Sequence, residues 1–189
     1  MNDVNLRKAE PGDEALLLRW ANDPATRANS FTSALISPEQ HHRWFSGKLS
    51  DPCCDILIFS LKSPLENKDR TGETPAENVV EDSSEGALEG AAVPMSPSDI
   101  PAGMVRLDHR DGTALISYSV DRGFRRQGFG SLFLKTAMGY TLDKRPDTAC
   151  FKGEVKPENE ASKHIFRGLG FREDISEDGI FIYTYDCRR

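Results

Sequence analysis

The sequence predicts an α/β fold, with helices flanking a mixed, mostly antiparallel central sheet. Three observations indicate this class. Apolar runs of strand length alternate with segments of helical periodicity, cap and turn residues separate them, and one polar tract interrupts the series. The predicted order is β-α-α-β-β-β-α-β-α-β. At this length, 189 residues, we expect residues 1–189 to form a single domain.

The first half is predicted to contain two strands and two helices. Ser37 is the expected N-cap of the second helix, with Pro38 at its first position and Gln40 completing a capping box. The apolar positions of the first helix recur at helical spacing. The elements are a strand at 4–8, a helix at 13–20, a helix from 38 to about 49 and a strand at 55–61.

The second half is predicted to contain four strands and two helices. Asp111 and Gly112 form the turn of a hairpin, and Gly170 ends the last helix as a C-terminal cap. A turn with two glycines leads from the hairpin into the first of these helices. The strands cover 103–108, 113–120, 150–155 and 180–185, and the helices extend to about 142 and from 159 to 169.

The polar tract, residues 63–101, holds nine acidic and two basic residues, five prolines and few large apolar side chains. Such a composition buries too little apolar surface to offset the entropy of ordering. We therefore expect an acidic, mobile insertion in the hairpin loop between the second and third strands. The rest of the chain is then close to neutral.

The overall totals exclude several classes of protein. A net charge of −6 argues against nucleic acid and anionic membranes as partners. The sequence has no apolar run of membrane-spanning length, and its first residues lack the apolar core of a signal peptide. The four cysteines, Cys53, Cys54, Cys150 and Cys187, have neither zinc nor disulfide-framework spacing. We expect no metal site, reduced thiols and a cytoplasmic protein.

The stretch VDRGFRRQGFGSLFL, residues 120–134, places three glycines and three arginines where a strand gives way to a helix. The first N–H groups of a helix lack intrahelical partners and attract anions. Gly128 and Gly130 let a bulky anion approach the backbone, and Arg125 and Arg126 add positive charge. The turn is therefore suited to a pyrophosphate, although the glycines also fit a purely structural turn. Neither a G-x-G-x-x-G fingerprint nor a Walker loop is present.

Residues 125–130, RRQGFG, match the Q/R-x-x-G-x-G/A signature of the GNAT acyl-CoA N-acyltransferases. Downstream, GEVKPENEASKHIFRGLGF resembles the second signature of that family. The resemblance covers nearly the whole chain except the acidic insertion, and it implies acetyl-CoA as the acetyl donor. In this family the fourth strand diverges from the fifth and admits the cofactor arm. The implied contacts to acetyl-CoA are Ser119, Val120, Asp121, Arg125, Arg126, Gln127, Gly128, Phe129, Gly130, Ser131, Asn159, Ser162 and Phe166.

Acetyl transfer to an amine needs a base, a donor for the oxyanion and an acid for the leaving thiolate. Many relatives use a tyrosine of the second signature as the acid, but this chain has Phe166 there. Tyr118 or an ordered water is the substitute. Glu154 is our candidate base, with a solvated charge at the strand end as the alternative, and a backbone N–H near Val120 is the candidate oxyanion donor.

The segment from residue 20 to 45 resembles the nucleotide-linked aminosugar acetyltransferases of the pseudaminic-acid kind. It matches a pattern close to W-x-N-D-P-x-x-R-x-x-S-F followed by I-S-x-x-x-H-x-x-W-F, although Ala21 departs from the usual Arg. Aromatic and polar groups here normally wall the acceptor pocket, but core packing explains Trp20 better and is the alternative for the others. The candidate acceptor contacts are Asn22, Arg27, Phe31, His41 and Trp44.

The sequence therefore predicts an acetyl-CoA-dependent N-acetyltransferase that acts by direct transfer on a primary amine of a small molecule. A nucleotide-linked aminosugar is the favoured acceptor. Three alternatives stay open: acetylation of a protein N-terminus, a CoA-binding module without turnover, and a ping-pong route through Cys53 and Cys54. A homodimer is also an open expectation.

Overall fold

The computed structural model describes residues 4–62 and 99–187. Twelve helices and strands follow one another in these two ranges, together with 3-10 turns at Pro11–Asp13 and Arg122–Phe124. They are β1 (Val4–Lys8), α1 (Glu14–Ala21), α2 (Pro24–Asn29), α3 (Pro38–Ser50), β2 (Cys54–Lys62), β3 (Asp99–Arg110), β4 (Thr113–Val120), α4 (Phe129–Lys144), β5 (Cys150–Val155), α5 (Glu160–Gly168), β6 (Arg172–Ile175) and β7 (Phe181–Asp186).

The strands form one seven-stranded sheet in the order β1-β2-β3-β4-β5-β7-β6. Neighbouring strands are antiparallel except for β4 and β5, which are parallel. The predicted fold class is confirmed. Two short elements, α2 and β6, were absent from the prediction: α2 has six residues and no buried side chain, and all four residues of β6 are exposed. Neither carries the apolar periodicity on which sequence prediction depends.

The third strand begins at Asp99, four residues earlier than predicted, and continues its ladder with β2 past a bulge at Phe59 and Ser60. Ile100 pairs with Leu61, and Asp99 accepts a hydrogen bond from the Asn5 side chain at 2.8 Å. The last three residues of the predicted insertion are therefore strand. The remainder of that expectation, residues 63–98, lies outside the described residues.

Helices cover the sheet on both faces. The larger core lies between the sheet and helices α4 and α5, where Phe133 of α4 stacks on Phe59 of β2 with ring centroids 4.5 Å apart. The second core lies on the opposite face, where Trp20 of α1 and Phe45 of α3 pack against Ile58. Ser37 caps α3 with the predicted capping box.

The parallel pairing of β4 with β5 covers only residues 113–116 and 150–153. Beyond it β4 continues to Val120 and β5 to Val155, with no further pairing between the two described strands. We call the space between these diverging ends the gap. It corresponds to the divergence that the resemblance implied. The gap opens at the end of β4, where the glycine turn leads into α4.

Candidate active site

The two faces of the sheet give the gap two different sides. Tyr118 and Val120 of β4 pack with the core beneath α4 and α5. Side chains alternate along a strand, so Ser117 and Ser119 point to the opposite face, toward α1 and α3. On β5 the buried Phe151 and Val155 likewise face the core beneath α4 and α5. We call the two sides of the gap the α4–α5 side and the α1–α3 side.

The glycine turn leaves open space in front of α4. Gly128 is the N-cap of α4 with φ of +84°, in the left-handed region that favours glycine. A Cβ at this position would meet no heavy atom within 4 Å. The backbone here is therefore approachable by a bulky anion at the positive end of a 16-residue helix, and the residues present fit a pyrophosphate.

The second glycine of the turn has a different role. A Cβ on Gly130 would lie 2.7 Å from Ile165 Cδ1 of α5. Gly130 therefore permits close packing of α4 on α5. Phe129, another predicted cofactor contact, is buried in the core and packs against Phe133 and Phe124. Ser131 follows in the first turn of α4 and is half-buried.

The two arginines of the turn also differ. Arg125 donates from Nε to the carbonyl of Val120 at 2.9 Å and from Nη2 to Oδ1 of Asp23 at 2.6 Å. Arg126 is exposed and has φ of +60°. Gln127 donates to the Gly123 carbonyl at 2.9 Å. Of the two guanidinium groups, that of Arg126 is the more accessible to an anion, whereas Arg125 holds the turn against other elements.

The end of β4 directs backbone groups into the gap. The N–H of Asp121 donates to the Ala102 carbonyl on β3 at 2.8 Å. Successive backbone groups of a strand point to opposite sides, so the N–H and carbonyl of Val120 face the gap. The Asp121 carboxylate accepts hydrogen bonds from Trp20 Nε1 at 2.8 Å and from the Gly123 N–H at 2.9 Å.

The second signature begins with Asn159, which caps α5 by accepting a hydrogen bond from the Ser162 N–H at 3.1 Å. The hydroxyls of Ser162 and Tyr118 share a hydrogen bond at 2.8 Å, so α5 and β4 meet on the α4–α5 side of the gap. Phe166 is 2% exposed and stacks on Tyr183. A Cβ at Gly153 would collide with its ring, so Phe166 fills the core beneath β5.

Burial raises the pKa of Tyr118 to about 12, against a smaller opposing effect of the bond from Ser162. The phenol is therefore protonated across the physiological range, as a proton donor must be. Its hydroxyl is the predicted acid, and the structure places it beside Ser162, another predicted site residue.

Glu154 lies on the α1–α3 side, because Phe151 and Val155 of the same strand face the core beneath α4 and α5. Its side chain is 37% exposed, and Oε1 lies 3.0 Å from Nζ of Lys152. The two predicted proton-transfer groups thus stand on opposite faces of the sheet at the same gap. The catalytic role of Glu154 and its alternative, a solvated charge, both stay predictions.

Asn22 and Arg27 of the predicted acceptor wall are engaged within the protein. The side chain of Asn22 accepts a hydrogen bond from the N–H of Ile36 at 2.9 Å and donates to its carbonyl at 2.8 Å. Arg27 donates to the carbonyl of Thr32 at 3.1 Å, to the hydroxyl of Ser30 at 3.1 Å and to the Ala21 carbonyl. Both side chains hold the segment of residues 30–36 against α1 and α2.

The aromatic members of that wall occupy different environments. Trp44 lies over the guanidinium of Arg106 at 5.4 Å, and Arg106 donates to Ser117 at 3.1 Å, at the start of the gap. His41 is 1% exposed, packs between Trp44 and Phe45, and has no partner for either ring nitrogen among the described residues. Burial lowers its pKa, which keeps the ring neutral.

Phe31 is 60% exposed and Leu35 is 73% exposed. The segment that carries them borders a surface pocket of about 400 Å³. The described residues that line it are Arg27, Ser30, Thr32, Ala34, Leu35, Ile36 and Gln40. The pocket therefore combines polar groups with an apolar rim on the α1–α3 side.

Residues 3–172 match the family model described as an acetyltransferase (GNAT) domain. The chain belongs to the GNAT acetyltransferase family. It is therefore an N-acetyltransferase whose acetyl donor is acetyl-CoA. The interpretation as a CoA-binding module without turnover is set aside.

Solved structures show the same fold at low identity. A domain from Methanocaldococcus jannaschii superposes with a TM-score of 0.71 and 13% identity, over 98% of this chain and 99% of that one. The spermidine N-acetyltransferase of Vibrio cholerae, in complex with CoA and spermine, gives 0.70 and 13%, over 97% and 95%. RimL, a ribosomal L7/L12 α-N-protein acetyltransferase in complex with CoA, gives 0.67 and 14%, over 97% and 93%. The search of curated proteins found no match.

Cys53 and Cys54 of this GNAT acetyltransferase lie at the end of β2 that is away from the gap. Cys54 pairs with Asp108, whereas the gap end of β3 is Gly103, paired with Val120. Five residues of strand separate the two ends, a distance of roughly 17 Å. Burial also raises the pKa of Cys54 to about 12, so its thiol is protonated. The location and protonation of Cys54 both argue against an acetyl-cysteine intermediate there.

Among the described residues, no cluster of three or more His, Cys, Asp or Glu side chains could hold a metal ion. None of the helices within the same residues is long and apolar enough to cross a bilayer.

Sequence reasoning did not assign Asp23, Arg106 or Lys156 to the site. Asp23 appeared only as a motif letter, and nothing in the sequence showed that its carboxylate meets Arg125 more than 100 positions later. Arg106 lies outside both signatures, and Lys156 lies within the second one but was given no role there. Their contacts with Ser117 and with the carbonyl of Ala28, at 3.1 and 2.9 Å, come from the tertiary fold.

Proposed function

We propose that this GNAT acetyltransferase transfers the acetyl group directly to a primary amine, in a ternary complex at the gap. The observation that carries the proposal is the early end of the β4–β5 pairing, with Tyr118 on one face and Glu154 on the other. The thioester arm lies along β4, the pyrophosphate sits at the turn before α4, and the amine approaches from the α1–α3 side.

Each proton then has a partner. Glu154 takes a proton from the ammonium group, directly or through a water, so that the free amine attacks the thioester carbonyl. The Val120 N–H, which faces the gap, donates to the oxygen on which negative charge develops. The C–N bond forms and the C–S bond breaks, and Tyr118 protonates the departing thiolate. Free CoA and an acetamide leave, and the first amine proton returns from Glu154 to solvent. The second proton, which the nitrogen loses as the amide forms, passes to water, and Tyr118 is reprotonated from solvent.

The acceptor that we favour is a nucleotide-linked aminosugar. Its support is the match of the segment from Trp20 to Phe45 and a pocket of about 400 Å³, a size suited to a small molecule. The described lining of that pocket contains Arg27 and no carboxylate, which suits an acceptor that carries phosphate better than a polyamine.

A protein N-terminus is the second candidate, favoured by the exposed Phe31 and Leu35. An apolar rim of this kind suits the side chain of a peptide better than it suits a sugar.

A cytoplasmic location and a homodimer stay predictions. Fractionation and light scattering at several protein concentrations test them.

The test measures free CoA thiol with three acceptors at equal concentration: a UDP-linked amino sugar, a peptide with a free and apolar N-terminus, and spermidine. Mass spectrometry of each product distinguishes acetylation from hydrolysis of the thioester. Saturable acetylation of the amino sugar with the highest kcat/KM is the expected result. A preference for the peptide or for spermidine would overturn the acceptor assignment, and thiol release without any acetylated amine would overturn direct transfer.

A further inference from the structure

Helix α2 is attached to the end of β4 through one carboxylate. Asp23 caps α2 by accepting a hydrogen bond from the Thr26 N–H at 3.1 Å. The same oxygen accepts from Arg125 Nη2 at 2.6 Å, and Arg125 Nε reaches the Val120 carbonyl at 2.9 Å. Burial raises the pKa of Asp23, but the hydrogen bonds from Arg125 and Thr26 outweigh it and hold the pKa below its ordinary value.

The other end of α2 is attached to the end of β5. Nζ of Lys156 donates to the Ala28 carbonyl at 2.9 Å. Lys156 directly follows Val155, the last residue of β5, and Ala28 lies in the last turn of α2. A cation at the carboxyl end of a helix is favourable, because unpaired carbonyls collect there.

The six-residue helix thus has one tether on each of the two strands that border the gap. A further contact, from Trp20 Nε1 to the Asp121 carboxylate at 2.8 Å, fixes the end of α1 to the same turn. From within α2, Arg27 holds residues 30–36, the segment that lines the pocket. A continuous series of contacts therefore connects the glycine turn, through α2, with the proposed acceptor wall.

We propose that α2 bridges the α1–α3 side of the gap, and that Asp23 and Lys156 are positioning residues that set its place. Through Asp23 and Arg125, binding of CoA at the turn orders α2 and with it the acceptor wall. Neither residue contacts substrate. The inference rests on the proposed function for the place where the amine enters, but its first test needs only CoA.

That test follows backbone hydrogen exchange in a peptide spanning residues 24–30, with and without saturating CoA. In the wild type, CoA slows exchange in this peptide. In Asp23→Asn, which keeps the shape of the cap and loses its charge, that protection disappears although CoA still binds. Lys144→Met is the matched control, because Lys144 is an exposed lysine in the last turn of α4, and it keeps the wild-type protection.

The second test separates the tethers by titration calorimetry and by kinetics with the best acceptor of the amine panel. Asp23→Asn weakens CoA binding by at least about fivefold, a typical size of coupling between sites. Lys156→Met leaves the dissociation constant of CoA unchanged and raises the KM of the acceptor by a similar factor. Lys156→Arg, which keeps the donor and the charge, restores most of that loss. Thermal unfolding checks that each variant is folded.

Equal CoA protection of residues 24–30 in Asp23→Asn and wild type would overturn the inference. So would an unchanged KM in Lys156→Met, and both results would leave acetyl transfer itself intact. If Asp23→Asn fails to fold, Lys156→Met decides alone, because its side chain caps no helix start. Failure of the proposed function has a different signature: the wild type acetylates no amine, whatever the exchange experiment shows.

Discussion

The glycine turn and the proposed acceptor wall are built by different means. At the cofactor turn the surface offered to a ligand is backbone: Gly128 at φ of +84° faces open space, and α4 supplies N–H groups. At the proposed acceptor wall the motif side chains Asn22 and Arg27 form hydrogen bonds within the protein. Asn22 binds the backbone of Ile36, and Arg27 donates to the Thr32 carbonyl and the Ser30 hydroxyl.

The difference explains what a motif can reveal. A site built of backbone needs glycine at a fixed place, so the glycine itself marks the function. In a site shaped by a folded loop, the conspicuous residues mark the loop. The pattern from Trp20 to Phe45 therefore marks how this segment is folded, and the groups that the segment leaves exposed, Phe31 among them, are the ones available to a ligand.

The largest expected effect is at the turn. Gly128→Glu places a carboxylate where we propose that the phosphates bind, and we expect it to abolish detectable CoA binding through charge repulsion and lost access to the backbone. The free energy of unfolding should drop by only ~1–2 kcal/mol, the strain of a left-handed side chain. Calorimetric titration with CoA and denaturant unfolding measure the two quantities.

Gly130→Ala is the contrasting variant. Its Cβ would meet Ile165 Cδ1 at 2.7 Å, so α4 and α5 must separate and stability should fall by ~1–3 kcal/mol. If Gly130→Ala leaves stability unchanged, or if Gly128→Glu binds CoA normally, the two glycines do not have the separate roles that the structure assigns to them.

Tyr118→Phe tests the α4–α5 side at the level of chemistry. The ring packing is kept and the proton donor is lost, so kcat should fall on the order of 1,000-fold with the CoA dissociation constant unchanged. Because the pKa of Tyr118 is raised to about 12, the wild type should show no loss of activity from this group as pH rises to about 10. A variant with full activity would leave an ordered water as the acid.

Glu154→Gln tests the opposite face. If the carboxylate accepts the amine proton, kcat should fall on the order of 100-fold at neutral pH. Steady-state kinetics at saturating acetyl-CoA and acceptor measure this loss. Lys152→Met is the control for their 3.0 Å ion pair, since it removes the partner and keeps the base. A wild-type kcat in Glu154→Gln would return Glu154 to the solvated alternative.

The sequence was sufficient for the elements with strong local signals. The capping box at Ser37 and the strand that ends at Val120 were predicted closely, because caps and apolar runs act locally. The hydroxyl pair of Tyr118 and Ser162, 44 positions apart, required the fold to bring it together. The sequence analysis named both residues, Ser162 from the resemblance and Tyr118 as the substitute acid, but not their contact.

Other assignments depended on burial, which no local pattern states. Phe166 and Phe129 occupy signature positions and belong to the core. His41 occupies a motif position and is enclosed by aromatic rings. Each of these three residues matches its motif position in the sequence. Packing against other strands and helices nevertheless turns its ring into the interior.

The smallest effects are expected at the proposed acceptor wall. They test whether Asn22, which holds the loop, and Phe31, which is exposed, have different roles. Asn22→Ala removes both side-chain bonds to Ile36, so stability should fall by about 1–3 kcal/mol and the KM of the acceptor should rise with it. Phe31→Ala removes a ring that is 60% exposed, and the free energy of unfolding should stay within ~0.5 kcal/mol of the wild type.

Phe31→Ala should nevertheless raise the KM of the acceptor about fivefold, the worth of a partly buried aromatic contact, with kcat and the CoA dissociation constant unchanged. Steady-state kinetics at saturating acetyl-CoA measure this, with Ile175→Ala, an exposed apolar residue on β6, as the control. If Phe31→Ala lowers stability as Asn22→Ala does, the ring belongs to the folding of the loop. If it changes only KM, the exposed rim rather than the motif selects the amine.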